Sequence, residues 1–536
     1  MNATIRARLA RVAALIALVT MLTAGGTSPA TAAPTFTLTI SSPSLIFHRG
    51  PGSIAIGSTA ASVSWKIADI AGAAVGSGVR WMSAGASTVD ISALSPGYYT
   101  LSLHAGAAPN ATDLTVSFAV IEPVPTSLID ESSPFGAATH LNRPGWGVGV
   151  LDEAVKVGIS HIREDAFWSN FETSPGTYTY PAGLTAIIDG ARARGITPMV
   201  IANGANSHYD SGRTPSSPTG IAAFGAFAAA LVDHYDLDVL EVLNEYNGGT
   251  FNTSACGRTA ACYLDVLEGV APAVKAVRPS TTVVGPATIG IGNCIRPDGT
   301  KCFAPDLIDR GGLDHLDAYS VHPYHYPGGP EWLGGSGDAL AGLRTRLQAA
   351  NAGSDVPIYL SEMGWPTQDG GGTTELQQAD NLVRLYAVAL ANGVERIYWY
   401  DLVNDGRVPT STEHNFGLLR QPLASTPETM TTVIAHAPKP AIVAQAVLAR
   451  KIGGLSYAGG DPVALPVRSA VFGTGAATMR ILWASAAGTA TIAATGPITV
   501  TDVLGRAETL PPTGGRVLLP LTSSPVFVEG PVVGVS

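Results

Sequence analysis

The chain has 536 residues, a formal net charge of −10, 46% hydrophobic and 13% charged residues, and 4 cysteines. An acidic balance of this size argues against nucleic acid and anionic membrane surfaces as partners, because both would repel it. The length suffices for roughly two to four domains with ample core.

Residues 1–33 read as an export leader: Arg6, Arg8 and Arg11 form a basic start, residues 12–22 an apolar core, and Ala30-Thr31-Ala32 a small-residue cleavage site. The apolar run is too short to span a bilayer, and no later segment reaches about 18 uninterrupted apolar residues. Without the leader's three arginines the charge becomes −13. The mature protein is therefore expected to be exported, with no membrane span.

Residues 34–126 read as an immunoglobulin-like β-sandwich. Segments 36–40, 62–66, 98–103 and 114–118 alternate apolar with polar residues between Gly and Pro punctuation, and the Pro-rich 122–126 reads as a linker. Trp65, Trp81 and Tyr98 could bind sugar here, although packing is the commoner use of such aromatics.

Residues 127–450 alternate strand and helix. Strand candidates are 135–139, 161–167, 197–202, 240–244, 282–287, 316–322, 358–362 and 396–400. Between them lie amphipathic runs such as Leu184, Ile187, Ile188 and Ala191. Eight alternations predict an α/β fold, a (β/α)8 TIM barrel, with its active site at the carboxyl ends of the strands. The fourth candidate leads into Asn244-Glu245. Period-two alternation places Glu241, Leu243 and Glu245 on one face, the two acids about 13 Å apart at roughly 3.3 Å per residue, so only Glu245 reaches the mouth. The seventh ends in Glu362, followed by Gly364, Trp365 and Pro366. Glu245 could merely cap a strand. Two glutamates at the ends of separate strands, however, are what glycosidic cleavage needs, one to protonate the leaving oxygen and one to attack or to activate water. Trp365 beside the second acid suits a sugar platform.

The cysteines Cys256, Cys262, Cys294 and Cys302 fit an exported protein with disulfides. Of three possible pairings, the local ones 256–262 and 294–302 are favoured, and neither spacing is that of a zinc knuckle. Residues 451–536 read as β again, with short strands over 479–483, 498–502, 517–521 and 525–528, forming a C-terminal sandwich. The sequence leaves open whether the segment before 122 joins it.

The two acidic motifs resemble those of clan A retaining glycoside hydrolases, closest to family 39 and family 5-like members, over roughly residues 130–530. The resemblance implies Glu245 as acid/base after Asn244 on the fourth strand, and Glu362 as nucleophile on the seventh. It implies that Arg163 holds Glu362 ionised, with an ion pair to Asp165 or Glu241 as the other reading. Asn244 would grip the sugar 2-hydroxyl, His322 would contact a hydroxyl, Tyr324 would donate to the nucleophile, and Trp399 would floor the subsite of the scissile sugar. Trp168 could wall the site or fill the core. Asn203, His208 and Tyr209 could shape specificity. The expected function is a secreted retaining hydrolase acting on a polysaccharide or oligosaccharide without metal or organic cofactor. A non-catalytic polysaccharide binder or a transglycosylase on the same barrel are the alternatives. Sugar, linkage and oligomeric state are not readable.

Overall fold

The computed structural model describes residues 36–107, 111–141, 147–422 and 435–536, and the leader expected over 1–33 lies outside them. Eight parallel strands close into a barrel: β1 (Phe135–Ala138), β2 (His161–Phe167), β3 (Thr197–Asn203), β4 (Val239–Val242), β5 (Thr282–Ile289), β6 (Ala318–His322), β7 (Ile358–Met363) and β8 (Val394–Trp399), with β8 paired to β1. They alternate with α1 (Val150–Lys156), α2 (Ala182–Arg192), α3 (Pro218–Tyr235), α4 (Ala260–Val277), α5 (Phe303–Asp309), α6 (Leu340–Ala350), α7 (Glu375–Ala391) and α8 (Pro440–Ile452). The architecture is the expected (β/α)8 barrel, and every strand candidate overlaps an observed strand.

The local chemistry explains these boundaries. Strands β4, β6 and β7 are buried along their whole length, as parallel strands covered on both faces must be. Helix α2 buries Leu184, Ile187, Ile188 and Ala191, the stripe read from the sequence. Ser217 and Thr259 cap α3 and α4 by accepting from backbone N–H groups, and Thr374 with Gln377 forms a capping box on α7. These caps end the loops that follow the strands, on the face where the site lies. Inside the barrel, Met199, Val239, Val284, Ala318, Tyr359 and Tyr398 pack as a separate layer that floors the interior.

Two disulfides staple loops on the same face. Cys256–Cys262 ties the loop after β4 to the first turn of α4, and Cys294–Cys302 closes a loop between β5 and α5. Both are the local pairings expected.

Ahead of the barrel, a three-stranded sheet (38–40, 53–58, 86–90) faces a five-stranded one (46–48, 112–121, 97–105, 62–69, 74–81) around Ile54, Ile56, Val63, Leu101 and Phe118. Tyr99 Oη donates to Ser95 O at 2.8 Å, the corner contact of immunoglobulin-like sandwiches. After the barrel come a six-stranded and a three-stranded sheet built wholly from residues 457–535. Among the described residues neither sandwich borrows a strand from the other, which answers the point the sequence left open. The first abuts the barrel where Ser117 Oγ donates to Pro438 O at 2.7 Å. Among the described residues no helix is long and apolar enough to cross a membrane.

Candidate active site

Arg163, carried by β2, is the buried charge around which the cavity is arranged. Its Nη1 donates to Glu362 Oε1 at 2.6 Å, its Nε to Glu241 Oε2 at 2.7 Å and its Nη2 to Asn244 Oδ1 at 2.7 Å. Burial opposes the guanidinium charge, but Glu241 and Glu362 outweigh it and hold the pKa above its ordinary value. Of the three acids offered by the sequence for Arg163, one fork serves both Glu362 and Glu241, while Asp165 accepts from Asn203 instead.

Glu245 does not reach the cavity by simple alternation. Strand β4 ends at Val242, and Leu243 (φ 60°), Glu245 (φ 47°) and the adjacent Ala287 (φ 49°) adopt left-handed backbone. Such conformations cost of order 1–3 kcal/mol each in a non-glycine residue and persist where surrounding structure imposes them. Here the Glu245 N–H donates to Ala287 O at 3.0 Å, across to the strand beside it. Leu243 turns outward into the core between barrel and helices, correcting the expectation that it shares a face with Glu241 and Glu245. Glu362 likewise departs from alternation. The pairing of β7 with β8 is irregular between Leu360 and Met363, which lets both Ser361 and Glu362 aim inward.

The two acids converge. One carboxylate oxygen of Glu245, one of Glu362 and a ring nitrogen of His322 all lie within 4.8 Å of one another, with 15% and 12% of the two glutamate side chains exposed. His322 Nδ1 stands 3.1 Å from Glu245 Oε1 and 3.6 Å from Glu362 Oε2, while its Nε2 is 3.0 Å from Ser361 Oγ. Tyr324 Oη donates to Glu362 Oε2 at 3.0 Å. Burial alone would raise the Glu362 pKa. The His322, Arg163 and Tyr324 contacts outweigh burial and hold the carboxyl below its usual range. Burial, then the Glu362 charge, pushes the Tyr324 hydroxyl well above its ordinary value, so it remains a donor.

The tryptophans fall elsewhere. Trp168, Trp365 and Trp399 are fully buried and have no face to offer a sugar, which corrects the platform expected of Trp365 and the floor expected of Trp399; of the two readings of Trp168, wall or core, it takes the core one. Trp168 stacks on Tyr209 at 5.0 Å and donates to Glu172 at 2.6 Å; Trp365 stacks on Trp399 at 5.9 Å and donates to Gly328 O. Trp399 lies one step out of phase with the inward Tyr398, whereas Trp168 and Trp365 lie just beyond the ends of β2 and β7. Next to Trp399 it is Tyr400 that turns toward the site, its ring edge-on to Tyr324 at 6.2 Å and to Phe416 at 5.2 Å. Alternation from the inward Tyr398 would have found it. Tyr400 Oη also donates to Glu413 at 3.4 Å. Glu413 is reached by solvent, yet partial burial and then the Asp405, Glu362 and Glu245 charges raise its pKa, although the Tyr400 hydrogen bond lowers it. Nothing local in the sequence signals Glu413, which arrives on the long loop after β8.

Asn203 donates to Asp165 at 2.9 Å, Tyr209 to Glu172 at 2.7 Å, and His208 Nε2 is 3.1 Å from Thr173 O. Asn203 ties the ends of β3 and β2 together, while His208 and Tyr209 brace the loop after β3 against the segment after β2.

Among the described residues two groups bring three ligand atoms within reach of one cation: Glu245–His322–Glu362 and His140–Asp401–Asp405. In the first, a cation would have to sit against a buried guanidinium already holding Glu362, a like-charge arrangement that is costly away from water.

No protein-family model matches the sequence, and no curated protein matches it. Solved structures do share the fold. A family 39 glycoside hydrolase from the gut symbiont Bacteroides cellulosilyticus WH2 is similar at 23% identity over 92% of this chain and 100% of that one, TM-score 0.74. The catalytic domain of a family 30 xylanase C from Talaromyces cellulolyticus is similar at 14% identity over 75% and 96%, TM-score 0.51. A family 39 β-xylosidase from Caulobacter crescentus is similar at 17% identity over 75% and 97%, TM-score 0.50.

Proposed function

We propose that the protein is an exported retaining glycoside hydrolase that cleaves O-glycosidic bonds of an oligosaccharide or polysaccharide by double displacement. The observation that carries this reading is the approach of Glu245 and Glu362 to within 4.8 Å between ligand oxygens. Retaining pairs stand about 5–5.5 Å apart, whereas inverting pairs leave about 6.5–9.5 Å for a water.

The electrostatics divide the roles. Glu362, held anionic by Arg163, His322 and Tyr324, attacks the anomeric carbon and forms a glycosyl ester as the glycosidic C–O bond breaks. Glu245, whose hydrogen-bond partner here is His322, delivers its proton to the departing oxygen. As a carboxylate it then takes a proton from the water that opens the ester. Asn244 commits its Oδ1 to Arg163, which leaves its amide Nδ2 to donate to the sugar 2-hydroxyl.

Two disulfides support export, since such bonds persist in oxidising compartments. The β-xylosidase and xylanase among the similar structures make xylosides the first substrates to try. The test is Glu362→Gly on a panel of aryl glycosides that includes xylosides. Turnover is lost, and azide restores it with formation of a glycosyl azide. A Glu362→Gly protein as active as the wild type, or a wild type inert across the panel, overturns the reading.

A further inference from the structure

The strand 74–81, at the free edge of the five-stranded sheet, has its amphipathic pattern reversed. On its inner side stand Gly76, Gly78 and Arg80, opposite Ile67, Trp65 and Val63. The Trp65 ring lies across the two glycines: a Cβ at Gly78 would come within 3.1 Å of its Nε1, and one at Gly76 within 3.3 Å of its Cζ3. The Arg80 guanidinium covers the same ring at 5.6 Å. Trp65 therefore packs this edge, and Tyr98 is buried. On the outer side the strand presents Val79 and Trp81, which are 54% and 76% exposed, while Val75 is the extra residue of a bulge opposite Ile67 and Ala68. An ordinary sheet edge places its apolar residues inward, so folding of the sandwich does not account for this stripe.

The same outer face changes character one strand inward. Opposite Trp81, Val79 and Ser77 stand Ser62, Ser64 and Lys66, then His104 and Ser102, then Asp113 and Thr115. Side chains on this face already hydrogen-bond to one another, Ser102 Oγ to Thr115 Oγ1 at 3.1 Å and His104 Nδ1 to Asp113 Oδ1 at 2.8 Å. An apolar stripe one strand wide, bordered by hydroxyl, imidazole, ammonium and carboxylate groups, is too narrow for a stable dimer, which buries about 800 Å² per partner. It fits a slender chain that has both apolar C–H faces and many hydroxyls.

We propose that this face is a carbohydrate-binding surface, with Trp81 as its stacking platform, which holds a polysaccharide chain on the sandwich apart from the catalytic cavity. The inference extends the glycosidase reading, and its test does not depend on turnover. Wild type and Trp81→Ala are run in native gels cast with soluble arabinoxylan, xyloglucan or mixed-linkage β-glucan. The wild type is retarded by at least one polymer, and Trp81→Ala weakens the binding by about tenfold or more, as loss of an anchoring tryptophan does. Turnover of a small aryl glycoside stays unchanged in the variant. Equal retardation of both proteins, no retardation of the wild type, or a change of oligomeric state in Trp81→Ala overturns the proposal; the last would assign the stripe to a second copy of the chain. Retardation dependent on Trp81 in a protein without turnover keeps this proposal and sinks the glycosidase reading instead.

Discussion

Tyr324→Phe removes a single oxygen from the cavity that holds Glu245 and Glu362. The hydroxyl donates to Glu362 Oε2 at 3.0 Å, and the ring is held by Phe416 at 5.8 Å and Tyr400 at 6.2 Å, so phenylalanine keeps the packing. A hydrogen bond to an ionised group is worth about 1.5–3 kcal/mol, and one pKa unit corresponds to about 1.4 kcal/mol. The bond stabilises the ionised form of Glu362, so its loss raises that pKa by roughly one to two units. In the proposed double displacement the attacking species is the anion, so the acidic limb of kcat/KM is expected to move to higher pH by that amount. The same shift acts on stability. A depressed folded-state pKa stabilises the fold above the unfolded value of about 4.3, a contribution lost as pH falls through the folded value, and the variant carries less of it. The assay is kcat/KM against pH for wild type and variant on one aryl glycoside. An acidic limb that stays within about 0.3 unit while kcat falls refutes the reasoning, because Tyr324 would then act on something other than Glu362 ionisation.

Glu241→Ala leaves Arg163 without its deeper partner in a place fully closed to water, and about 3–5 kcal/mol of stability is lost on denaturant unfolding; a change under about 1 kcal/mol contradicts the shared fork. Tyr400→Phe and Trp399→Leu separate the two faces of β8. The first alters kcat or KM through its neighbours Tyr324 and Glu413, whereas the second lowers the melting temperature by the usual cost of emptying a core position and leaves kcat/KM of the folded enzyme nearly unchanged. Reversed outcomes would place Trp399 in the cavity. Replacing Cys256 and Cys262 by serine opens a short loop after β4 and costs about 2–3 kcal/mol in thermal unfolding, with activity retained below the new transition; a loss of activity without a loss of stability would give that loop a direct role.

Much of this architecture is local in origin and therefore legible in the chain. Buried parallel strands are continuous apolar runs, and the intervening helices show their stripe, so strand order and the positions of Glu245 and Glu362 at the fourth and seventh strands follow from periodicity. What period-two reasoning missed has tertiary causes. The left-handed turns at Leu243 and Glu245 and the irregular register of β7 are imposed by neighbouring strands, and no residue type announces them. The tryptophans mislead because a large aromatic near a strand end suits a sugar and a core equally well. Only phase decides, and phase places Trp399 outward and Tyr400 inward. The dual use of Arg163 is also invisible in one dimension, since Glu241 and Glu362 lie 121 positions apart, from 241 to 362.

The most direct test of the central claim is the configuration of the first-formed sugar, read by proton NMR during hydrolysis of an aryl glycoside before mutarotation scrambles it. Glu245 and Glu362 acting across a single anomeric carbon yield a product with the anomeric configuration of the substrate. An inverted first product would mean that no bond forms to Glu362, and the double displacement proposed for this cavity would be wrong.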